Sequence, residues 1–250
     1  MQINQAYTQH VNIVKELKMS DSFYEVREPY KEGFEEIYNK AKDENVNMSN
    51  AKEFLSSLSQ EELSTLQHFS GLADDINVGG LSDEGSYNLL LNHYERYDFN
   101  NDGLVTSGIG KGIPLPIPQN MSSSDKKALV DTVNEMGMDK AFLGLSVIIL
   151  SNIINGPTNE RVDYSSISEL MEQILSPENK KYSTAEFRAS INNFWSAFQD
   201  NYNKNEEESS YAQKNLLREN ELIKAKIIRD NGQNSFKVFI GSVQNFVSNR

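Results

Sequence analysis

The chain has 250 residues and carries 36 Asp and Glu against 24 Lys and Arg, which gives a formal net charge of −12. This negative charge excludes nucleic acid and anionic membrane surfaces as favoured partners, because their phosphate groups would repel the protein. The chain has no cysteine, which excludes disulfides, thiolate metal sites and cysteine nucleophiles.

The first 20 residues are polar and rich in Gln, Asn and Thr, and we predict that they form a flexible N-terminus. They lack the basic stretch and apolar stretch of a secretory signal peptide. Their composition resembles the uncleaved N-terminal signals of flagellar and type III secretion substrates, although an ordinary terminal helix has the same composition. We therefore expect a cytoplasmic protein, with export without a cleavable signal peptide as the alternative.

Helical periodicity dominates the next 80 residues. Apolar side chains recur at spacings of three and four from residue 23 to 44, which predicts a helix, and a short helix is predicted over 51–57. Ser59 opens a capping box with Glu62 ahead of another apolar stripe. Ser82 is predicted to cap a helix over residues 83–97.

A short polar loop follows that helix at residues 98–106. Its oxygen donors converge when the backbone curls around a cation, and Gly103 at position 6 permits the sharp turn with positive φ. The predicted ligands at positions 1, 3, 5, 7 and 9 are Asp98, Asn100, Asp102, Leu104 through its carbonyl, and Thr106 directly or through water. The loop resembles the calcium loop of the EF-hand and related Asp-x-Asn-x-Asp-Gly modules.

The resemblance covers about a dozen residues and departs from the EF-hand after the loop. Position 12 is Ile109 rather than Glu, and three alternate prolines between residues 114 and 118 prevent an exiting helix. A further ligand must come from water or from elsewhere, with Glu84, Glu95 and Asp125 as candidates. The simplest alternative is a tight turn at residues 101–103 without an ion.

All of the expected donors are hard oxygens, so Ca²⁺ is the predicted ion and Mg²⁺ is the second choice. The loop supplies only two carboxylates. Weak sites of the resembled family have dissociation constants on the order of 10⁻⁴–10⁻³ M. Such a site fills at the calcium concentrations found outside cells.

The remaining helices are predicted from caps and apolar stripes. Residues 141–154 form the most apolar run, which is too short to cross a bilayer and predicts the central buried helix. Other predicted helices cover 123–136, 164–175, 185–203, 206–229 and 235–248. The last two are predicted to form an antiparallel hairpin.

The predicted fold class is all-α, a multi-helix bundle of about eight or nine helices with one EF-hand-like loop and a Gly/Pro-rich connector. The flexible N-terminus covers 1–20, and a helical region that ends in the loop covers 21–111. A Gly/Pro/Ser-rich connector covers 112–122, and a helical bundle with the C-terminal hairpin covers 123–250.

Enzyme signatures are sparse. His10, His68 and His93 form no metal-ligand pair with helical spacing. The glycine-rich stretch 108–112 lacks the preceding strand and the Lys-Ser or Lys-Thr pair of a phosphate loop. The sequence therefore predicts no catalytic and no cofactor-binding residues.

The sequence favours a non-enzymatic calcium-binding protein in which the ion is structural and the helical bundle binds a protein partner. A leaderless exported substrate or effector, stabilised by extracellular calcium, is the first alternative. An enzyme whose acidic residues come together only in three dimensions is the second.

Overall fold

The computed structural model describes residues 5–112, 117–154 and 162–229. Its internal contacts divide the chain into two compact units, Met1–Asn203 and Lys204–Arg250. The connector predicted at residues 112–122 lies within the range of the first unit. The domain boundaries of the sequence analysis stay a prediction.

Helices make up most of the described residues, which contain ten α-helices and one antiparallel pair of strands. The predicted all-α, multi-helix fold is confirmed. The helices are α1 (Gln5–Val14), α2 (Asp21–Glu25), α3 (Lys31–Asp43), α4 (Ala51–Ser57), α5 (Gln60–Ser70), α6 (Asp83–Leu89), α7 (Ser123–Met136), α8 (Met138–Ile154), α9 (Tyr164–Leu175) and α10 (Ala185–Arg229). Short 3-10 helices cover Glu28–Tyr30, Val78–Gly80 and Pro177–Tyr182. Strands β1 (Val105–Ser107) and β2 (Gly110–Gly112) pair with Val105 opposite Gly112.

Serine side chains start three of these helices where their spacing predicts it. Ser59 accepts a hydrogen bond from the Glu62 backbone at 3.2 Å, and the Glu62 carboxylate accepts one from the Ser59 backbone at 2.7 Å. Ser82 and Ser122 each accept a bond from the backbone N–H three residues ahead. Such caps are worth about 1 kcal/mol each, so the starts of α5, α6 and α7 are determined locally.

The helix predicted over residues 83–97 starts at the expected place but is too long, because α6 ends at Leu89. The following residues turn around Glu95, whose carboxylate accepts bonds from the Asn92 backbone at 3.2 Å and the Asn92 side chain at 3.0 Å. Side chains that bond nearby backbone groups compete with helix formation. The apolar spacing in this stretch was therefore a misleading signal.

The break predicted between residues 203 and 206 is also wrong, because α10 runs continuously from Ala185 to Arg229. Asn203 and Asn205 are weak helix formers, but neither glycine nor proline interrupts this helix. The second arm of the predicted hairpin, residues 235–248, lies outside the described residues.

Two hydrophobic cores form in the first unit. The smaller core draws on α3 to α6, with Phe34, Leu55, Leu66 and Leu89 almost fully buried. The larger core joins α1, α7, α8, α9 and the start of α10, and its members include Leu129, Leu145, Ile167, Phe194 and Phe198. Each large side chain buried in this way contributes about 1.5–3 kcal/mol.

The apolar helix α8 is buried on one side only, so its prediction as a central buried helix needs correction. Ala141, Leu145 and Ile148 face the larger core, whereas Phe142 and Leu150 are 63% and 50% exposed. Among the described helices, none combines the length and the apolar character that crossing a bilayer requires.

The N-terminal helix α1 packs on α7. Asn134 accepts a bond from the Lys18 backbone and donates one to the Glu16 carbonyl, both at 2.8 Å. Val14 and Leu17 are buried in the larger core. The composition of residues 1–20 predicts a flexible segment, whereas residues 5–14 form this helix and Leu17, just after it, belongs to the core.

His10 is buried in α1 and is only 1% exposed. Among the described residues its Nδ1 atom has no hydrogen-bond partner, and its ring meets Tyr97 edge to face with centroids 5.5 Å apart. Burial lowers the pKa of His10 to about 3, and the nearby charge of Lys126 on α7 adds to this effect. The imidazole is therefore neutral in the folded protein well below the usual pKa of histidine.

We predict that His10 makes the protein sensitive to acid. In the unfolded chain His10 is protonated as the pH falls through about 6.5, whereas in the folded chain it is protonated only near pH 3. The free energy of unfolding therefore decreases as the pH falls through this window. Relative to His10→Phe, the wild type should lose about 2 kcal/mol between pH 7 and pH 5. Urea unfolding followed by circular dichroism measures this difference.

The control for that experiment is His68→Gln, which removes an exposed histidine that stacks on Tyr30 but belongs to neither hydrophobic core. It should retain the pH dependence of the wild type. Equal pH dependence in the wild type and His10→Phe would show that His10 is not responsible.

Candidate metal centre

The loop 98–106 is bent by its own polar side chains. Asp98 is buried, and its two carboxylate oxygens accept bonds from the backbone N–H groups of Asp102 at 3.1 Å and Gly103 at 2.8 Å. The Asp102 carboxylate accepts a bond from the Leu104 backbone at 2.9 Å. Gly103 has the predicted positive φ, at 88°. Asp98 is therefore buried on the inside of the turn, whereas Asp102 bonds to the loop backbone but is exposed to solvent.

Glu84 of α6 lies directly against this loop and is only 2% exposed. Its Oε2 atom accepts a bond from the Asn100 side-chain amide at 2.5 Å, and its Oε1 atom accepts one from the Thr106 backbone at 3.3 Å. The cap at Ser82 fixes the start of α6 and therefore places Glu84 on the first helical turn. The α6 helix thus brings a third carboxylate to the loop.

The other two candidates for the additional ligand are engaged elsewhere. Glu95 accepts bonds from Asn92 and from the Tyr38 hydroxyl, the latter at 2.9 Å. Asp125 accepts a bond from the Ser122 hydroxyl at 2.5 Å, at the start of α7. Glu84 is therefore the one of the three that the structure brings to the loop.

The Glu84 carboxylate is held in an electrostatically unfavourable place. Burial is the largest cause that raises the pKa of Glu84 to about 7, and the nearby carboxylates of Asp98 and Asp102 raise it further. Backbone N–H groups of Thr106 and Phe99 oppose this shift. Three acidic side chains in one small region favour either a bound proton or a bound cation.

Asn88 ties the two ends of the loop to α6, and sequence reasoning missed it. This side chain is fully buried. It donates to the carbonyls of Tyr97 at 2.9 Å and Thr106 at 2.8 Å, and it accepts from the Tyr97 backbone at 3.1 Å. Asn88 lies four residues after Glu84, so one helical face carries both groups. The sequence signal for this anchor was the polar pair Glu84 and Asn88 at helical spacing, close to apolar residues of the same helix.

Gly85 allows the helix to approach the β1–β2 hairpin closely. Its carbonyl accepts a bond from the Gly108 backbone at 3.1 Å. A Cβ atom at Gly85 would lie 2.3 Å from the Gly108 carbonyl oxygen and 3.2 Å from the methyl group of Thr106. Only glycine fits here without moving the hairpin. This contact positions Thr106, which is buried.

The opposite side of the loop is aromatic. Phe99 packs on Tyr87 and Tyr97, with ring centroids 5.2 Å and 5.5 Å away, and on Tyr7 of α1 at 5.4 Å. The Tyr7 hydroxyl also donates to the Glu95 carbonyl at 3.2 Å. Val105 is buried. The loop therefore has one polar face and one apolar face.

The described residues contain no group of three or more His, Cys, Asp and Glu side chains arranged tightly enough to hold a metal ion. A site at this loop would therefore also depend on amide, carbonyl and hydroxyl oxygens. The Asn100 oxygen accepts a bond from the Asp102 backbone at 2.8 Å, while its nitrogen faces Glu84. To bind a cation beside Glu84, the amide must rotate so that its oxygen replaces its nitrogen.

The chain was also compared with known proteins. No protein-family model, no curated protein and no solved structure matched it.

We predict that Asn88 is essential for the shape of the loop. Asn88→Ala removes three hydrogen bonds to the ends of the loop and a longer one, of 3.4 Å, to Glu84. The loss leaves the Tyr97 N–H without this partner and should lower the free energy of unfolding by about 2–3 kcal/mol. Asn88→Asp retains the acceptor but loses both donors and adds a charge beside Glu84, so it should be at least as destabilising. Urea unfolding measures both variants.

Asn12→Ala is the matched control, because Asn12 is an exposed amide on α1 and its loss should change stability by less than about 0.5 kcal/mol. If Asn88→Ala were as mild as this control, Asn88 would not anchor the loop.

Proposed function

We propose that this protein is a non-enzymatic calcium-binding protein in which the ion is structural and the helical body serves as a protein-interaction module. The observation that carries the proposal is the buried Glu84 carboxylate, which lies against a loop that already contains Asp98 and Asp102. A divalent cation neutralises two of these three charges and offsets the cost of burying Glu84 and Asp98 close together.

The proposed ligands combine the loop donors with the carboxylate from α6. They are Asp98, Asn100 through its side-chain oxygen, Asp102, Leu104 through its carbonyl, Thr106 and Glu84. Such a mixed set of oxygen donors suits Ca²⁺, which accepts six to eight ligands in flexible geometry. Mg²⁺ is the second choice, because it requires near-ideal octahedral geometry at shorter distances.

The proposed role of the ion is to join α6 to the loop and to the β1–β2 hairpin. Glu84 already contacts Asn100 in the loop and Thr106 in β1 through hydrogen bonds. An ion between these groups adds a further link among segments that Asn88 holds together. This placement favours a structural role, since the ligands belong to elements that pack on each other.

The interaction role is supported by apolar side chains on the surface of α8. Phe142 and Leu150 protrude from this helix and are at least half exposed. Exposed apolar surface is one of the features of protein-binding sites. We propose that the partner is a protein, because the net charge of −12 disfavours nucleic acid and anionic lipid.

The first test is calcium binding by the full chain. Calorimetry should detect one site with a dissociation constant on the order of 10⁻⁴–10⁻³ M, and 10 mM calcium should stabilise the protein by about 1.4–2.7 kcal/mol. Asp98→Ala should abolish the heat of binding, and Glu84→Gln should weaken binding. Asp75→Asn is the control, because Asp75 is an exposed acid outside the loop. Identical calorimetry and melting with calcium and with chelator would reject the proposal.

The second test is the pH dependence of calcium stabilisation. A proton competes with calcium for Glu84, whose pKa without the ion is raised to about 7. Without calcium, the raised pKa means that stability from this group is present at low pH and is lost as the pH rises through 7. The increase in melting temperature caused by calcium should therefore be larger at pH 8 than at pH 6.

Glu84→Gln should remove most of this difference between pH 8 and pH 6, because the amide does not ionise. Calcium binding that is equally strong at both pH values in the wild type would show that Glu84 is not a ligand, even if the loop binds the ion.

A further inference from the structure

Three basic side chains lie together at the C-terminal end of α5, away from the acidic loop face. They are Arg27, His93 and Arg96, which we call the basic cluster. Arg27 precedes the 3-10 helix Glu28–Tyr30, and the other two belong to the turn after α6. All three are half-buried, so they are reachable from solvent while being partly removed from it.

Arg27 is positioned by Phe23 and by the end of α5. Its guanidinium carbon lies 3.7 Å from the centre of the Phe23 ring, and one of its nitrogens donates to the Phe23 carbonyl at 2.9 Å. Its other terminal nitrogen lies so close to Gly71 that a Cβ atom there would be 2.8 Å away. The guanidinium is therefore fixed by packing rather than by a carboxylate.

Arg96 and His93 approach the same place. Arg96 donates to the hydroxyl of Ser70 at 3.0 Å, and Ser70 is the neighbour of Gly71. The Nε atom of Arg96 is buried and has no hydrogen-bond partner among the described residues. His93 packs edge to face on Phe23, with centroids 4.9 Å apart, so Phe23 contacts both the imidazole and Arg27.

No acidic side chain among the described residues forms an ion pair with either arginine. Burial, followed by the charges of Arg96 and Arg27, lowers the pKa of His93 to about 4. The partial negative charge at the C-terminus of α5 attracts a cation. The C-terminus of a helix carries a partial negative charge of about half an elementary charge. Most of the positive charge of the two guanidinium groups is therefore left unbalanced.

We infer that the basic cluster binds an oxyanion of the phosphate class. Two arginines present planar forks that match the oxygens of a phosphate group. The hydroxyl of Ser70 adds a neutral hydrogen-bonding group at the same place. The bound anion balances the like charges of the two arginines. This inference is independent of the proposed calcium site.

Calorimetry with inorganic phosphate tests the inference on the full chain, in calcium-free chloride buffer at constant ionic strength. The wild type should show saturable binding at one site. Arg27→Gln and Arg96→Gln should each weaken binding at least tenfold, and Arg27→Lys should weaken it because it keeps the charge but loses the fork. Lys15→Gln is the control, since it removes an exposed positive charge from the turn that follows α1.

Glycerol phosphate distinguishes the two sources of this chemistry. Binding as tight as that of inorganic phosphate identifies the ligand as a phosphate ester, whereas binding of inorganic phosphate alone identifies the free ion. If Arg96→Gln unfolds the protein, as judged by circular dichroism, Arg27→Gln carries the comparison. Absence of phosphate binding to the wild type, or equal affinity in Arg27→Gln and Lys15→Gln, overturns the inference.

Discussion

The organisation of the first unit around the loop depends on two polar groups buried on one face of a two-turn helix. Glu84 and Asn88 would each be costly in an apolar interior if they lacked partners. Their partners come from backbone groups at Tyr97 and Thr106 and from the Asn100 amide. Because these partners lie on either side of the loop, the hydrogen bonds that satisfy Glu84 and Asn88 also hold the bend of the chain. The hairpin of β1 and β2 follows from that bend.

Features set by neighbours in sequence were predictable. The serines that cap α5, α6 and α7 accept hydrogen bonds from backbone N–H groups three positions ahead. The positive φ of Gly103 is required by the turn of the loop itself. The all-α class follows from apolar spacing, which reports the helical repeat directly. The burial of Asp98 inside the turn also agrees with the spacing of the motif, whereas Asp102 is exposed. Occupancy by calcium is a property of the ligand equilibrium and stays a proposal.

Features set by distant residues were not predictable from one sequence. The apolar pattern extended α6 to residue 97, but Asn88 and Glu95 use their side chains to hold a turn there. Glu84 was one of three candidate acids, and only its position against the loop separated it from Glu95 and Asp125. The basic cluster joins Arg27, which precedes the 3-10 helix Glu28–Tyr30, to the turn after α6, so no local motif marks it.

Phe99 gives the loop a folding requirement as well as a shape. Its ring is enclosed by Tyr87, Tyr97 and Tyr7, and the hydrogen bond from Tyr7 to Glu95 spans 88 positions of the chain. Contacts between segments that are far apart in sequence carry a larger entropy cost of loop closure than contacts between neighbouring residues. The hydrogen bonds that curve residues 98–104 are local, but the aromatic packing around Phe99 is complete only when the first helix has docked.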